Sequence, residues 1–97
     1  MGFNERVYGV VKKIPKGRVS AYREVAGALG NKNLARAVGN TLNKNKDKDV
    51  PCHRVVRSDG CAGGYRWGKR NKADLLRKEG LKIEKGWIDL KLFLFRF

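Results

Sequence analysis

Hydrophobic residues recur with helical spacing in four segments of the chain, and turn-forming residues separate these segments. Asn4, Ser20 and Asn33 stand just before three of them, where a short polar side chain favours the start of a helix. Gly80 follows the last one and is typical of a helix end. The pattern therefore predicts helices over residues 4–13, 21–30, 34–42 and 70–79.

The second and third predicted helices lie close together in sequence, joined by a short turn that contains glycine and asparagine. They form the outline of a helix-turn-helix at about residues 20–42. Val55 and Val56 predict a short strand, and the tail after Gly80 predicts a strand or helix that closes the core. We expect one domain over residues 1–97, mainly α with short β elements and winged-helix-like.

The charge balance indicates what kind of partner the domain binds. Lys and Arg number 23 against nine Asp and Glu, a formal net charge of +14. A small domain of this charge favours a polyanion, usually nucleic acid, over a membrane surface, for which an anchoring helix or lipidation motif would be expected. No apolar run is long enough to span a membrane, and the N-terminus does not read as a signal peptide. We therefore expect a cytoplasmic monomer, nucleoid-associated if prokaryotic, with reduced cysteines.

Candidate chemistry is concentrated in PCHRVV, residues 51–56, where Cys52 precedes His53, the one histidine of the chain. The residues alone leave four interpretations open. Cys52 is a buried inert thiol, half of a disulfide with Cys61, a ligand in a zinc site completed by carboxylates, or a nucleophile activated by a nearby base.

Five motifs together resemble the O(6)-alkylguanine-DNA alkyltransferases, the methylated-DNA–protein-cysteine methyltransferases. PCHRVV resembles the active-site signature of that family. The other four motifs occur in the family's order between about residue 3 and residue 80, and they are IPKGRVSAYREVA, ARAVGNTLNKN, GGYRWG and LLRKEG. Together they resemble the helix-turn-helix, the substrate loop and the last active-site helix of the family.

The resemblance implies DNA repair by one irreversible alkyl transfer from guanine O6 to a cysteine, with each protein molecule acting once. It implies that Cys52 accepts the alkyl group, that His53 is the base acting through a water, and that Glu79 orients His53. Tyr22 is expected to contact the flipped base, and Asn45 to tie the recognition helix to the active-site loop. No cofactor and no metal ion is expected.

The expected partner is double-stranded DNA with an alkylated guanine, bound through the minor groove with the damaged nucleotide flipped out. Arg36 corresponds to the residue that fills the gap in the duplex. The third predicted helix corresponds to the recognition helix of the family. Its small residues Ala35, Ala37 and Gly39 agree with a close approach of this helix to the DNA. The resemblance places the following residues around the substrate pocket: Pro51, Val55, Tyr65, Arg66, Trp67 and Lys72.

Two departures from the family pattern bear on this expectation. From the resemblance, we expect a chain without the family's usual N-terminal domain, and we expect Trp67 to narrow the pocket against bulky adducts. A related branch, the alkyltransferase-like proteins, has Trp in place of the reactive Cys and senses damage without transfer. The presence of Cys52 favours transfer, and the alternative is a non-catalytic damage-binding protein of this branch.

Overall fold

The computed structural model describes residues 2–63 and 68–97, with the side chains of Lys69 and Arg70 left aside. Five helices, two short strands and two 3₁₀ turns follow one another in this part of the chain. In chain order they are α1 Phe3–Val11, β1 Ser20–Ala21, α2 Tyr22–Ala28, a 3₁₀ turn Lys32–Leu34, α3 Ala35–Asn43, a 3₁₀ turn Cys52–Arg54, β2 Val55–Val56, α4 Lys69–Lys78 and α5 Leu90–Phe93. The prediction of a mainly helical fold with short β elements and a helix-turn-helix is confirmed.

The three predicted N-caps are wrong, since the residues at the N-caps of α1, α2 and α3 are Gly2, Ala21 and Leu34. α1 begins after Gly2, and the Asn4 side chain instead accepts a hydrogen bond from Thr41 Oγ1 at 3.0 Å. Ser20 lies in β1, and its buried hydroxyl donates to the Phe95 carbonyl at 2.9 Å. Asn31 rather than Asn33 caps the turn before α3, since its side chain accepts from the Asn33 amide. The bonds of Asn4 and Ser20 join parts of the chain that are distant in sequence, so they cannot be predicted from local spacing.

The two strands form a parallel pair in which Ser20 lies opposite Val55 and Ala21 opposite Val56. β1 leads directly into α2, and β2 directly follows the turn that contains Cys52. This register brings the start of the helix-turn-helix to the same end of the sheet as the segment that follows β2. The pair therefore sets the position of Tyr22 relative to the Cys52 turn.

Two clusters of buried apolar side chains lie in the described part of the molecule. The first packs α1, α2 and α3 around the start of the Cys52 turn, and includes Val7, Val11, Val25, Val38, Leu42 and Cys52. The second packs β2 and the residue before β1 against α4 and the segment after it, and includes Val19, Val56, Leu76, Leu81, Ile83 and Ile88. The PCHRVV segment thus runs between the two clusters, and its backbone is fixed from both sides.

Gly60 is required by its surroundings. It adopts φ +96°, and a Cβ at this position would lie 2.8 Å from the Ile88 carbonyl oxygen. Its own carbonyl accepts a hydrogen bond from the Ile88 amide at 2.8 Å. The turn after β2 is therefore held tightly against the segment that leads into α5. Among the described helices, none is long and apolar enough to cross a membrane.

Candidate active site and DNA-binding surface

Cys52 lies at the start of the 3₁₀ turn, with only 4% of its surface exposed. The Asn45 side chain, itself buried, donates from Nδ2 to Cys52 Sγ at 2.9 Å and to the Asp47 carbonyl at 2.8 Å. Asn45 Oδ1 accepts from the Asp47 amide, so the side chain is held at both ends. The loop after α3 thereby fixes the thiol in one position.

His53 and Arg54 share the carboxylate of Glu79, which follows α4 directly. His53 Nε2 lies 3.0 Å from Glu79 Oε2, and Arg54 binds both oxygens of the same carboxylate, at 2.7 and 3.0 Å. A further nitrogen of the Arg54 guanidinium donates to the Ile14 carbonyl at 2.9 Å. Arg54 therefore fixes the orientation of the Glu79 carboxylate, and with it the position of the oxygen that contacts His53.

The contact with Glu79 sets the tautomer of the imidazole. A carboxylate only accepts hydrogen bonds, so the Nε2 atom of a neutral His53 must carry the proton. Nδ1 is then the basic nitrogen, able to take a proton. This is the arrangement of a nucleophile, a base and an orienting acid, provided that a water links His53 to Cys52.

Lys72 of α4 is completely buried, which is unusual for a lysine. Its Nζ donates to the Val55 carbonyl at 2.7 Å and lies 5.8 Å from the centre of the Tyr22 ring. Lys72 therefore joins α4 to β2 and to the first residue of α2, and places a cation inside the site.

A groove of about 1040 Å³ runs along the exposed face of α3 and past the start of α2. Arg36 points out at its edge, and Gly39 lies so close to the Tyr22 ring that a Cβ there would contact it at 3.8 Å. Cationic or amide side chains provide much of the remaining lining, which includes Arg23, Lys32, Asn33, Asn40, Asn43 and Arg57. The groove suits a polyanion because its charged lining residues are all cationic.

Comparison with known proteins identifies the family. The sequence model described as "6-O-methylguanine DNA methyltransferase, DNA binding domain" matches residues 2–81. The chain belongs to this family. It is 42% identical over 92% of its length to a bifunctional methyltransferase/endonuclease of Picrophilus torridus, and 42% identical over 84% to the methylated-DNA–protein-cysteine methyltransferase of Methanothermobacter thermautotrophicus. It spans only 30% and 46% of those two relatives.

Solved structures of the family share the fold. The chain superposes on Schizosaccharomyces pombe Atl1, bound to damaged DNA containing O6-carboxymethylguanine, with a TM-score of 0.89 and 29% identity. That superposition covers 98% of this chain and 95% of Atl1. With Mycobacterium tuberculosis OGT, in a complex with DNA, the TM-score is 0.77 and the identity 38%, over 81% of this chain and 49% of OGT.

Most residues predicted from the resemblance to this methyltransferase family do lie together. Asn45 contacts the Cys52 thiol, Glu79 contacts His53, and Lys72 contacts the Val55 carbonyl and lies over the Tyr22 ring, while Pro51 directly precedes Cys52. Ala35, Arg36 and Gly39 line the α3 groove, whereas Ala37 does not. Tyr65, Arg66 and Trp67 lie outside the described residues, and their pocket roles stay predictions.

Two of the open interpretations of Cys52 can now be judged. Both cysteines are free thiols, so the Cys52–Cys61 disulfide is wrong. Within residues 2–63 and 68–97, no group of three His, Cys, Asp or Glu side chains is placed to hold a metal ion. The buried inert thiol and the nucleophile both remain compatible with the position of Cys52.

Arg54 is the site residue that the sequence interpretation missed. It lies inside the PCHRVV motif, directly after His53. An arginine next to the candidate base indicates that a carboxylate lies nearby. In this chain of 97 residues that carboxylate belongs to Glu79, 25 positions further along. Arg54 and His53 together lower the pKa of Glu79, although burial alone would raise it.

Burial governs the protonation of the reacting groups. It raises the pKa of the Cys52 thiol, while the hydrogen bond from Asn45 and the nearby Lys72 act against that rise. It lowers the pKa of His53, although the contacts with Glu79 oppose this. At neutral pH the thiol is therefore protonated and the imidazole uncharged, so the site needs a proton acceptor and His53 is in the state to act as one.

Lys72 should make stability depend on pH. Burial lowers its pKa from 10.5 to about 8, so the folded state bears a charging cost of about 3 kcal/mol below pH 8. Between pH 8 and the unfolded pKa, the unfolded chain binds more protons, and this cost disappears as pH rises. We expect the advantage of Lys72→Met over the wild type to shrink by about 2 kcal/mol from about pH 7 to about pH 9.5.

The measurement is the free energy of unfolding by urea at both pH values, for wild type and variant. Burial raises the pKa values of Cys52 and Tyr22, and the difference between the two proteins removes the part of these titrations that does not depend on Lys72. Loss of the hydrogen bond to Val55 shifts that difference by a similar amount at both pH values. Lys12→Met, at an exposed position, is the control for the loss of one lysine. A constant difference for Lys72→Met would show that the lysine titrates normally.

Proposed function

We propose that the chain is a DNA-repair domain which transfers a methyl group from O6 of guanine in double-stranded DNA to Cys52, once per molecule. The observation that carries this proposal is the fixed thiol of Cys52 beside a His53 whose tautomer Glu79 sets. Family membership and the named activity of the Methanothermobacter relative support it. No cofactor is needed, because the nucleophile, the base and the orienting acid all come from the chain.

In the proposed reaction, the thiol proton passes through a water to Nδ1 of His53, and the thiolate sulfur attacks the methyl carbon. The carbon–sulfur bond forms as the bond between the methyl carbon and guanine O6 breaks, and the electron pair leaves with guanine. Tyr22 keeps its proton because burial raises its pKa, so its hydroxyl can donate to the departing base. The products are S-methylcysteine and guanine, because the departing base takes up one proton from water and protonated His53 returns one proton to water.

For the guanine to reach Cys52, it must leave the base stack. We propose that α3 lies in the minor groove, that Arg36 occupies the space left by the flipped nucleotide, and that Ala35 and Gly39 permit the close approach. DNA complexes of Atl1 and OGT, which have the same fold, support this placement. The chain would then act as a single domain and a monomer, in the compartment that holds the DNA, which is the cytoplasm of a prokaryote.

The second candidate is a damage-binding protein without transfer. The superposition on Atl1, which covers nearly the whole of both chains, supports this second candidate. Binding to DNA with O6-methylguanine is common to both candidates, so binding does not separate them.

Intact-mass measurement separates the two. The wild-type protein is incubated with an equimolar duplex containing one O6-methylguanine, and then with the unmodified duplex as a control. We expect a gain of one methyl group, mapped by peptide analysis to Cys52, and only with the modified duplex. Binding without any gain in mass would support the damage-binding alternative.

A further inference from the structure

The segment that leads through α5 to the C-terminus lies beyond residue 81, where the family match ends. Backbone hydrogen bonds fix it beside β1. The Val19 amide donates to the Phe93 carbonyl at 2.9 Å, the Phe95 amide donates to the Val19 carbonyl at 2.6 Å, and Ser20 Oγ donates to the Phe95 carbonyl. Phe95 also packs against the first apolar cluster. The C-terminal segment is therefore held in space beside the residues that lead into the helix-turn-helix.

A second cavity, of about 290 Å³, lies between this segment and the start of α2. Arg23 and Ser58 line this cavity and also line the α3 groove, so the two adjoin at these residues. From the C-terminal segment, Lys91 and Arg96 line the second cavity, and both side chains are exposed.

The charges along these two adjoining surfaces have one dominant sign. Among the described residues that line the α3 groove and the second cavity, one is acidic, Glu24. The cationic lining residues are Arg23, Lys32, Arg36, Arg57, Lys91 and Arg96. Arg57 is partly offset by an exposed ion pair with Asp59 at 3.3 Å. Lys91 and Arg96 make no ion pair with any described residue, so their charges are available to a ligand.

We propose that Lys91 and Arg96 bind backbone phosphates of the DNA duplex outside the segment that α3 contacts, so that the C-terminal segment extends the DNA-binding surface. This inference rests on the proposed binding of duplex DNA to the α3 groove. Phosphates are the matching chemistry, because they repeat along the duplex and two separated cations can contact two of them. The contacts carry no base specificity and serve to hold the protein on the duplex.

The test compares two double variants that remove the same charge. Lys91→Gln/Arg96→Gln alters side chains whose segment is held by its backbone, so the fold should persist. Lys12→Gln/Lys16→Gln is the matched control, at exposed positions that line neither cavity. Affinity for a duplex with one O6-methylguanine is measured by fluorescence anisotropy at several salt concentrations, and the rate of methyl transfer is measured at saturating DNA.

For Lys91→Gln/Arg96→Gln we expect the slope of log affinity against log salt to fall in magnitude by about 2, with about tenfold weaker binding near 0.1 M salt. The transfer rate at saturating DNA should be unchanged, since neither side chain lies at the site. An equal change of slope in both double variants would mean that only net charge matters, and would overturn the proposal. An unchanged slope in Lys91→Gln/Arg96→Gln would overturn it as well.

The failures of the two proposals are distinguishable. In one outcome the wild-type protein binds the duplex, Lys91→Gln/Arg96→Gln shows the expected loss of affinity, and the wild type gains no methyl group. That outcome supports this inference and refutes transfer. A wild-type protein that transfers the methyl group while both double variants bind equally refutes this inference alone. If the wild-type protein does not bind duplex DNA, both proposals are wrong.

Discussion

Cys52→Ala should carry no methyl group after incubation with O6-methylguanine DNA, while binding that DNA as the wild type does. The thiol is the proposed acceptor, and it is the group that the Asn45 side chain holds in place. The fold should tolerate the change, because Asn45 Nδ2 still donates to the Asp47 carbonyl. The loss is measured by intact mass of the protein and by the O6-methylguanine that remains in the DNA.

The second cysteine provides the matched control. Cys61 is also a free thiol, partly exposed, and its backbone carbonyl accepts from the Arg57 amide. Cys61→Ala should therefore transfer the methyl group at the wild-type rate. Methylation of Cys52→Ala, or loss of transfer in Cys61→Ala with Cys52 intact, would contradict the assignment of the acceptor.

His53→Gln should slow the transfer at neutral pH by about 10²- to 10⁴-fold, the usual effect of losing a positioned base. The glutamine amide can still donate to Glu79, so the hydrogen-bond pattern is preserved, but it cannot accept the thiol proton. Burial raises the pKa of Cys52, and the unassisted thiolate is therefore scarce at this pH. Single-turnover rates at saturating DNA measure the effect on the chemical step.

The pH dependence separates this catalytic role from a structural one. In His53→Gln the rate should rise steeply with pH, because the thiol then ionises without help and the deficit against wild type shrinks. A variant that was merely misfolded would lose DNA affinity as well, and would not recover at high pH. A rate within a few-fold of wild type at neutral pH would rule out His53 as the base.

Local patterns predicted the parts of the fold that depend on local contacts. Periodicity placed the helices within a few residues, and the PCHRVV motif placed Cys52 next to His53. The partner of Arg54 could not be predicted, since Glu79 is 25 positions away and the pairing exists only in the folded chain. The predicted cap at Ser20 was wrong for the same reason, because its hydroxyl reaches Phe95, 75 positions along the chain.

The burial of Lys72 had a signal that the sequence interpretation did not use. Lys72 precedes the buried Leu76 by four positions on α4, so the two side chains lie on the same face of the helix. The inward face of α4 therefore includes a lysine, where an apolar residue would be expected. A charged residue on a buried face is a candidate functional group even before its neighbours are known.

The short parallel pair has a consequence for how the domain assembles. α2 and α3 meet through contacts close in sequence, whereas Ser20 pairs with Val55, and His53 meets Glu79 across 26 positions. Loops that long cost entropy before their contacts compensate, so we expect the Ser20–Val55 pairing and the His53–Glu79 contact to form after the helix-turn-helix. In a population near its melting temperature, the helix-turn-helix would then outlast the surroundings of the Cys52 thiol, so that the proposed DNA binding would persist after the proposed transfer is lost.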